Sequence, residues 1–182
     1  MLNSILTECY NIRMKIKFKK FSRDFSEEYY YVLINQKNLM KHPEKPIGFA
    51  TKSFAGYLIA SSVFVAAGLI LMGFFNEAFP FIFVPVLTFV ASLHTYLRIN
   101  KNVKKLSEMD ATKFHLELNN DQIIFGLGKD NGVMIYWKEI KKVIFSNNSI
   151  VFLPNSIDIF PIVVPIDAEK EVKTTLKKLK IK

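Results

Sequence analysis

Hydrophobic positions follow three different patterns along this chain. Between Phe54 and Leu97 they run almost without interruption, and Glu77 is the only Asp, Glu, Lys or Arg in the stretch. Asn76-Glu77 divides it into two uncharged runs, Phe54 to Phe75 and Phe79 to Leu97. A bilayer core takes about 20 apolar residues as helix. Hydrocarbon offers no partner for a free peptide group, so an isolated span must be helical. The pattern therefore predicts a transmembrane hairpin with spans at about 54–75 and 79–97. Pro80 falls in the first turn of the second span, where proline is tolerated, and Pro85 predicts a kink.

Before the hairpin the period changes. Met14 to Phe18 alternates apolar residues with lysine, which predicts a strand. Asp24 with Glu27 three residues on fits a capping box. Phe25, Tyr29, Val32 and Leu33 follow at helical spacing, so a helix is expected from about Asp24 to Lys37. His42-Pro43-Glu44-Lys45-Pro46 ends it. After the hairpin the helix is expected to run on through Leu106 until Asp110. Short strands then follow at Phe114–Leu118, Ile123–Leu127, Val133–Trp137, Val143–Phe145, Ile150–Leu153 and Ile157–Phe160. They are separated by Asn-, Asp-, Ser- and Pro-rich turns. Lys129-Asp130-Asn131-Gly132 is a hairpin signal, and Gly126-Leu127-Gly128 reads as a strand end or bulge. Asp167 caps a last helix with an apolar stripe of Val172, Leu176 and Leu179. The organisation expected is a strand-helix segment (1–53), a helical hairpin (54–98) and a C-terminal domain (99–182), an α+β membrane protein.

Charge orients this arrangement. The net charge is +9, from 25 Lys+Arg against 16 Asp+Glu, and every one of these charged side chains except Glu77 lies outside the apolar stretch. That distribution excludes an ordinary soluble single domain, a disordered chain and a nucleic-acid-binding tail. Lys37, Lys41, Lys45 and Lys52 precede the hairpin, Arg98, Lys101, Lys104 and Lys105 follow it, and the connection has no Lys or Arg. The positive-inside rule puts both termini in the cytoplasm and Asn76-Glu77 outside. Tyr57 and Tyr96 suit the cytoplasmic interface. The first residues are not a signal peptide, having neither a basic start nor an apolar core with a cleavage site. Met14 is an alternative start. The single cysteine, Cys9, forms no intrachain disulfide and reads as a free thiol.

Six short strands closed by one amphipathic helix follow a pleckstrin-homology-like (PH-like) order. The segment Tyr136-Trp137-Lys138-Glu139-Ile140-Lys141-Lys142-Val143 resembles the pattern of the YcxB-like bacterial membrane proteins, with Trp137, Ile140 and Val143 at the matching positions. Ile157 to Pro161 stands where that family has an extended proline- and aromatic-containing run. The resemblance covers about residues 14–180. It implies a two-span anchor in the bacterial inner membrane carrying a cytoplasmic PH-like domain, and it carries no activity.

The chemistry-bearing residues point the same way. His42, His94 and His115 are scattered, without the close pairing that zinc sites use. No nucleophile-base constellation or phosphate loop stands out, so catalytic, cofactor and metal residues are all expected to be absent. Gly56, Ala60 and Ala67 in the first span suit close helix packing, within the hairpin or between subunits. Lys138, Lys141 and Lys142 form a candidate contact for anionic lipid headgroups. The expected partners are the bilayer and either a protein or lipid headgroups, with oligomerisation open and nucleic acid excluded. The first functional expectation is a non-enzymatic protein- or lipid-interaction module. An immunity protein against a membrane-acting toxin and a small channel or transporter subunit are the alternatives.

Overall fold

The computed structural model describes residues 13–74, 79–127 and 131–179. It is α+β, with four helices and two small antiparallel sheets among those residues. The chain opens with β1 (Arg13–Lys17), followed by α1 (Arg23–Lys41), α2 (Ala50–Phe74) and α3 (Phe79–Ser107). Six strands follow: β2 (Phe114–Asn119), β3 (Gln122–Leu127), β4 (Asn131–Tyr136), β5 (Ile140–Phe145), β6 (Ser149–Pro154) and β7 (Ile162–Pro165). α4 (Glu169–Leu179) ends the described chain. The Asn76-Glu77 connection, Cys9, Gly128, Lys129, Asp130, Lys180 and Lys182 lie outside the described residues.

One sheet has the order β1-β2-β3-β4 and the other β5-β6-β7. β1 pairs antiparallel with β2 across three intervening helices, with Ile16 opposite Leu116 and Lys15 opposite Glu117. The two sheets and α1 share one core. Phe18, Phe21, Phe25, Val32 and Leu39 are buried in it together with Leu116, Ile123, Ile135, Phe152, Val163 and Val172. The strand and helix before the apolar stretch are therefore built into the same hydrophobic unit as the strands after it.

Local chemistry explains most element ends, and several differ from the sequence reading. Ser22 caps α1, its Oγ accepting from the Phe25 N–H at 3.0 Å. Asp24 does not cap it, and Glu27 is directed elsewhere. α1 also runs on to Lys41. Trp137 leaves β4 and begins a 3-10 turn, Trp137–Glu139. Ile157–Phe160 is not a strand: Gln36 Nε2 donates to the Ile159 carbonyl at 2.7 Å, so a side chain takes the acceptor that a ladder would use. The strand falls instead at Ile162–Pro165, where every residue is buried. Asp167 lies in a short 3-10 turn, and α4 starts at Glu169. On α4, Val172 and Thr175 are the fully buried positions, while Leu176 packs at the rim of the core.

α2 and α3 pack against each other along a heptad-spaced seam. The more buried positions are Phe54, Leu58, Ser61, Val65 and Gly68 on α2 and Phe89, Ser92, Tyr96, Ile99 and Val103 on α3. Spacings alternating between three and four residues keep a seam on one helix face. Ala50 at the start of α2 and Ile99 and Val103 near the end of α3 share a small cluster with Tyr30 and Tyr31 of α1, so the two helices run antiparallel. Among the described residues one helix, α2 over Ala50–Leu71, is long and apolar enough to cross a membrane by length and composition, and only 6% of its most apolar window is buried inside the molecule.

Candidate functional site

The Trp137 segment brackets the two sheets. It carries the chain from β4 to β5. The indole Nε1 donates to the carbonyl of Asn119, the last residue of β2, at 2.8 Å, and the Trp137 N–H donates to the carbonyl of Asp121 in the β2–β3 turn at 3.0 Å. Its ring meets Phe152 of β6 edge-on, with centroids 6.1 Å apart. Glu139 Oε2 accepts from the Tyr136 N–H at 3.1 Å, and its carbonyl accepts from the Asn155 N–H at 2.8 Å. Ile140 and Val143 pack against the core. These residues hold architecture together and present no reactive group.

The neighbouring lysines do not converge on a common ligand position. Lys141 Nζ donates to the Met40 carbonyl at 2.5 Å, and Lys142 Nζ reaches the Pro43 carbonyl at 3.5 Å. Both ammonium groups sit at the C-terminal end of α1, where free carbonyls and the helix dipole attract cations. Lys138 lies 5.4 Å from the centroid of the Tyr136 ring. On α4, Lys173 pairs with Glu169 one turn earlier. A headgroup patch built on Lys138, Lys141 and Lys142 would have to draw two of them away from main-chain acceptors.

Gly56, Ala60 and Ala67 are exposed, on the opposite side of α2 from the seam. A Cβ added at Gly56 would meet nothing within 4 Å. Packing of these residues within the hairpin is thus corrected. The seam on α2 is carried by Phe54, Leu58, Ser61, Val65 and Gly68, and heptad counting rather than residue size is the signal that finds it.

Sequence reasoning passed over the side chains that join the parts. Glu27 accepts from the Thr51 N–H at 2.9 Å and from the Thr51 hydroxyl at 2.7 Å, at the first turn of α2. Glu28, 2% exposed, accepts from Asn148 Nδ2 at 2.8 Å and from the Ser149 hydroxyl at 2.5 Å. Adjacent carboxyl groups on α1 therefore tie the long apolar helix on one side to the β5–β6 turn on the other. Arg23 adds a bond to Asn100 of α3 at 3.1 Å.

The sheet unit has an apolar groove of about 410 Å³, lined by Tyr29 and Leu33 of α1, Phe125 and Leu127 of β3, Val133 of β4 and Phe160 before β7. Burial pushes the Tyr29 phenol above its ordinary value, with the Tyr30 phenol adding to the shift. β4 borders the groove and is the outer strand of its sheet among the described residues, exposing Val133 and Met134. Gly132 allows the close strand approach there. A Cβ on it would come within 3.0 Å of the Gly126 Cα and 3.1 Å of the Phe125 carbonyl. An open edge beside an apolar groove can accept an extended segment, with main-chain bonds along the strand and side chains below it.

Among the described residues no group of three or more His, Cys, Asp or Glu is placed to hold a metal ion. His115 lies on β2 opposite Lys17. Burial, reinforced by the Lys15 and Lys17 cations and partly offset by Glu117, holds its imidazole below the ordinary value. The folded chain therefore binds this proton less readily than the unfolded chain. Stability present above the ordinary histidine value, about 6.5, is lost as pH falls below it toward the lowered value. Thermal melts of His115→Gln and the parent in detergent between about pH 7.5 and 5.5 should show a flatter acid limb for the variant. No family model, curated protein or solved structure matches this chain.

Proposed function

We propose that this chain is an integral membrane protein whose α2 and α3 form a transmembrane hairpin and whose sheet unit is a cytoplasmic, non-enzymatic interaction module. The observation that carries the reading is the outer surface of the two helices. Ile59, Val63, Phe64, Leu69 and Ile70 of α2, with Phe83, Val84, Leu87 and Val90 of α3, are all more than half exposed. Water does not tolerate so large a contiguous apolar sleeve on a stable monomer, whereas lipid tails solvate it. The sheet unit is PH-like in this reading: four strands and three strands closed by a C-terminal helix, with the hairpin inserted between the first and second strands. That arrangement agrees with a YcxB-like membrane protein. The module would dock an extended segment of a partner protein along β4, over the Tyr29–Val133 groove.

The test uses single cysteines in a Cys9→Ser background. A membrane-impermeant maleimide is expected to label Glu77→Cys in intact cells and Asn155→Cys only after lysis, while alkaline carbonate leaves the protein in the membrane pellet. Release by carbonate, or labelling of both sites in intact cells, overturns the topology. A photo-crosslinking residue at Val133 should give adducts that the same residue at Asn155 does not. Absence of any Val133-specific adduct removes the docking assignment.

A further inference from the structure

The outer face of α3 carries a second feature, separate from the β4 groove. An open groove of about 710 Å³ is lined by Val90, Leu93, His94, Leu97, Arg98 and Lys101. These positions recur at helical spacing and so lie on one face, in order along the axis. Val90, Leu93 and Leu97 are exposed apolar side chains toward the middle of the helix. His94, Arg98 and Lys101 follow toward its C-terminal end. The rise from Phe79 to Leu97 is about 27 Å at about 1.5 Å per residue, close to a hydrocarbon core of about 30 Å. In the membrane reading, Arg98 therefore stands at the level of lipid phosphates and Leu93 at that of the upper acyl chains.

Charge is unbalanced here. α3 contains Arg98, Lys101, Lys104 and Lys105 and no Asp or Glu. Lys104 has Glu108 at 3.8 Å. Arg98 and Lys101 are exposed and have no hydrogen-bond or ion-pair partner among the described residues. They are thus unlike Lys141 and Lys142, whose ammonium groups are taken up by carbonyls of the chain itself. A guanidinium presents a planar donor fork matched to phosphate oxygens, and an ammonium adds a second positive charge one turn away.

We propose that this face of α3 is a binding site for an anionic phospholipid, its phosphate held by Arg98 and Lys101 beside His94 and one acyl chain lying along Leu97, Leu93 and Val90. The proposal rests on the membrane reading above and moves headgroup recognition from the sheet unit to the hairpin. A soluble anion would use only the cationic half of the groove. A lipid uses both halves, in the order in which they occur.

The experiment uses the full chain, purified in detergent, exchanged into phosphatidylcholine with or without phosphatidylglycerol, and analysed by native mass spectrometry for retained lipid. The parent chain is expected to retain phosphatidylglycerol in preference to phosphatidylcholine. Arg98→Gln/Lys101→Gln should weaken that retention roughly tenfold or more, given the attraction of each basic residue to an anionic surface. Lys104→Gln/Lys105→Gln removes the same formal charge from the same helix outside the groove and should change it less than about twofold. Equal loss in both double variants, or no preference in the parent chain, overturns the site. Displacement of the lipid by glycerol phosphate in solution overturns the lipid assignment in favour of a soluble anion. Carbonate extraction of each variant separates the two readings. If the parent chain is released, the membrane reading fails and this proposal with it. If all variants stay embedded and retention ignores Arg98 and Lys101, this proposal alone fails.

Discussion

Replacing Phe21 with alanine is expected to destabilise the whole sheet unit by about 3–5 kcal/mol, the usual cost of removing a buried phenylalanine side chain. Phe21 is 1% exposed and lies between β1 and α1. Its ring centroid is 5.1 Å from Phe25, 5.2 Å from Phe114 and 6.2 Å from Phe18. The side chain thus joins the segment before the hairpin to β2 after it. Trp137 is the only tryptophan, and it sits at the sheet-to-sheet turn, away from this cluster in sequence. Its emission during thermal unfolding in detergent reports the change. A fall in midpoint on the order of 10 °C or more is expected for a unit of this size. An unmoved Trp137 transition would mean that the N-terminal strand and helix fold apart from the rest.

Glu28→Ala is the second large effect, expected to cost about 2–5 kcal/mol. The loss arises less from the bonds themselves than from the donors left behind. The Ser149 residue is fully buried and Asn148 half-buried, and the Ser149 hydroxyl and the Asn148 amide would both lose their acceptor. Each unsatisfied buried donor costs about 1–3 kcal/mol. Glu28→Gln keeps the shape and one acceptor oxygen but turns an N–H₂ toward a donor, so it should fall between the parent and the alanine variant. Denaturant unfolding followed by Trp137 emission checks both. Equal stability of Glu28→Ala and the parent would show that the bonds from α1 to the β5–β6 turn contribute nothing.

The two carboxyl groups of Glu27 and Glu28 illustrate what sequence order conceals. In the sequence Asp24 and Glu27 read as a local capping box. Nothing local says that Ser22 takes the cap while Glu27 reaches the start of α2, because Thr51 is brought to it only by the packing of α1 on the hairpin. Lys141 and Lys142 are a parallel case. Beside Trp137 they read as a surface patch, and their roles follow from the end of α1 lying next to β5. Gly56, Ala60 and Ala67 look like a packing face by size, but the seam formed along a different, heptad-spaced face of α2.

Side-chain order by itself determined the apolar runs that become α2 and most of α3, the alternating segments that become β1 and β2, the short apolar runs between turns that become β3, β4 and β6, the amphipathic α4 and the absence of any charge on α2 beyond Lys52. These are properties of neighbouring residues: hydrophobic period, turn chemistry and charge act over a few positions and can be read directly. Tertiary structure alone decided that β1 joins β2, that α1 stands between the sheets and the hairpin, that β7 begins at Ile162 rather than Ile157, and which cations are left without a partner. The physical reason is separation. β1 and β2 are about as far apart in sequence as a whole small domain, and closing so long a loop costs entropy that grows only slowly with length. An antiparallel helical pair returns the chain to where it left, so the strands meet at little further cost. No local pattern encodes that return. It depends on α2 and α3 packing along a seam and on α1 fastening their near ends to the sheets.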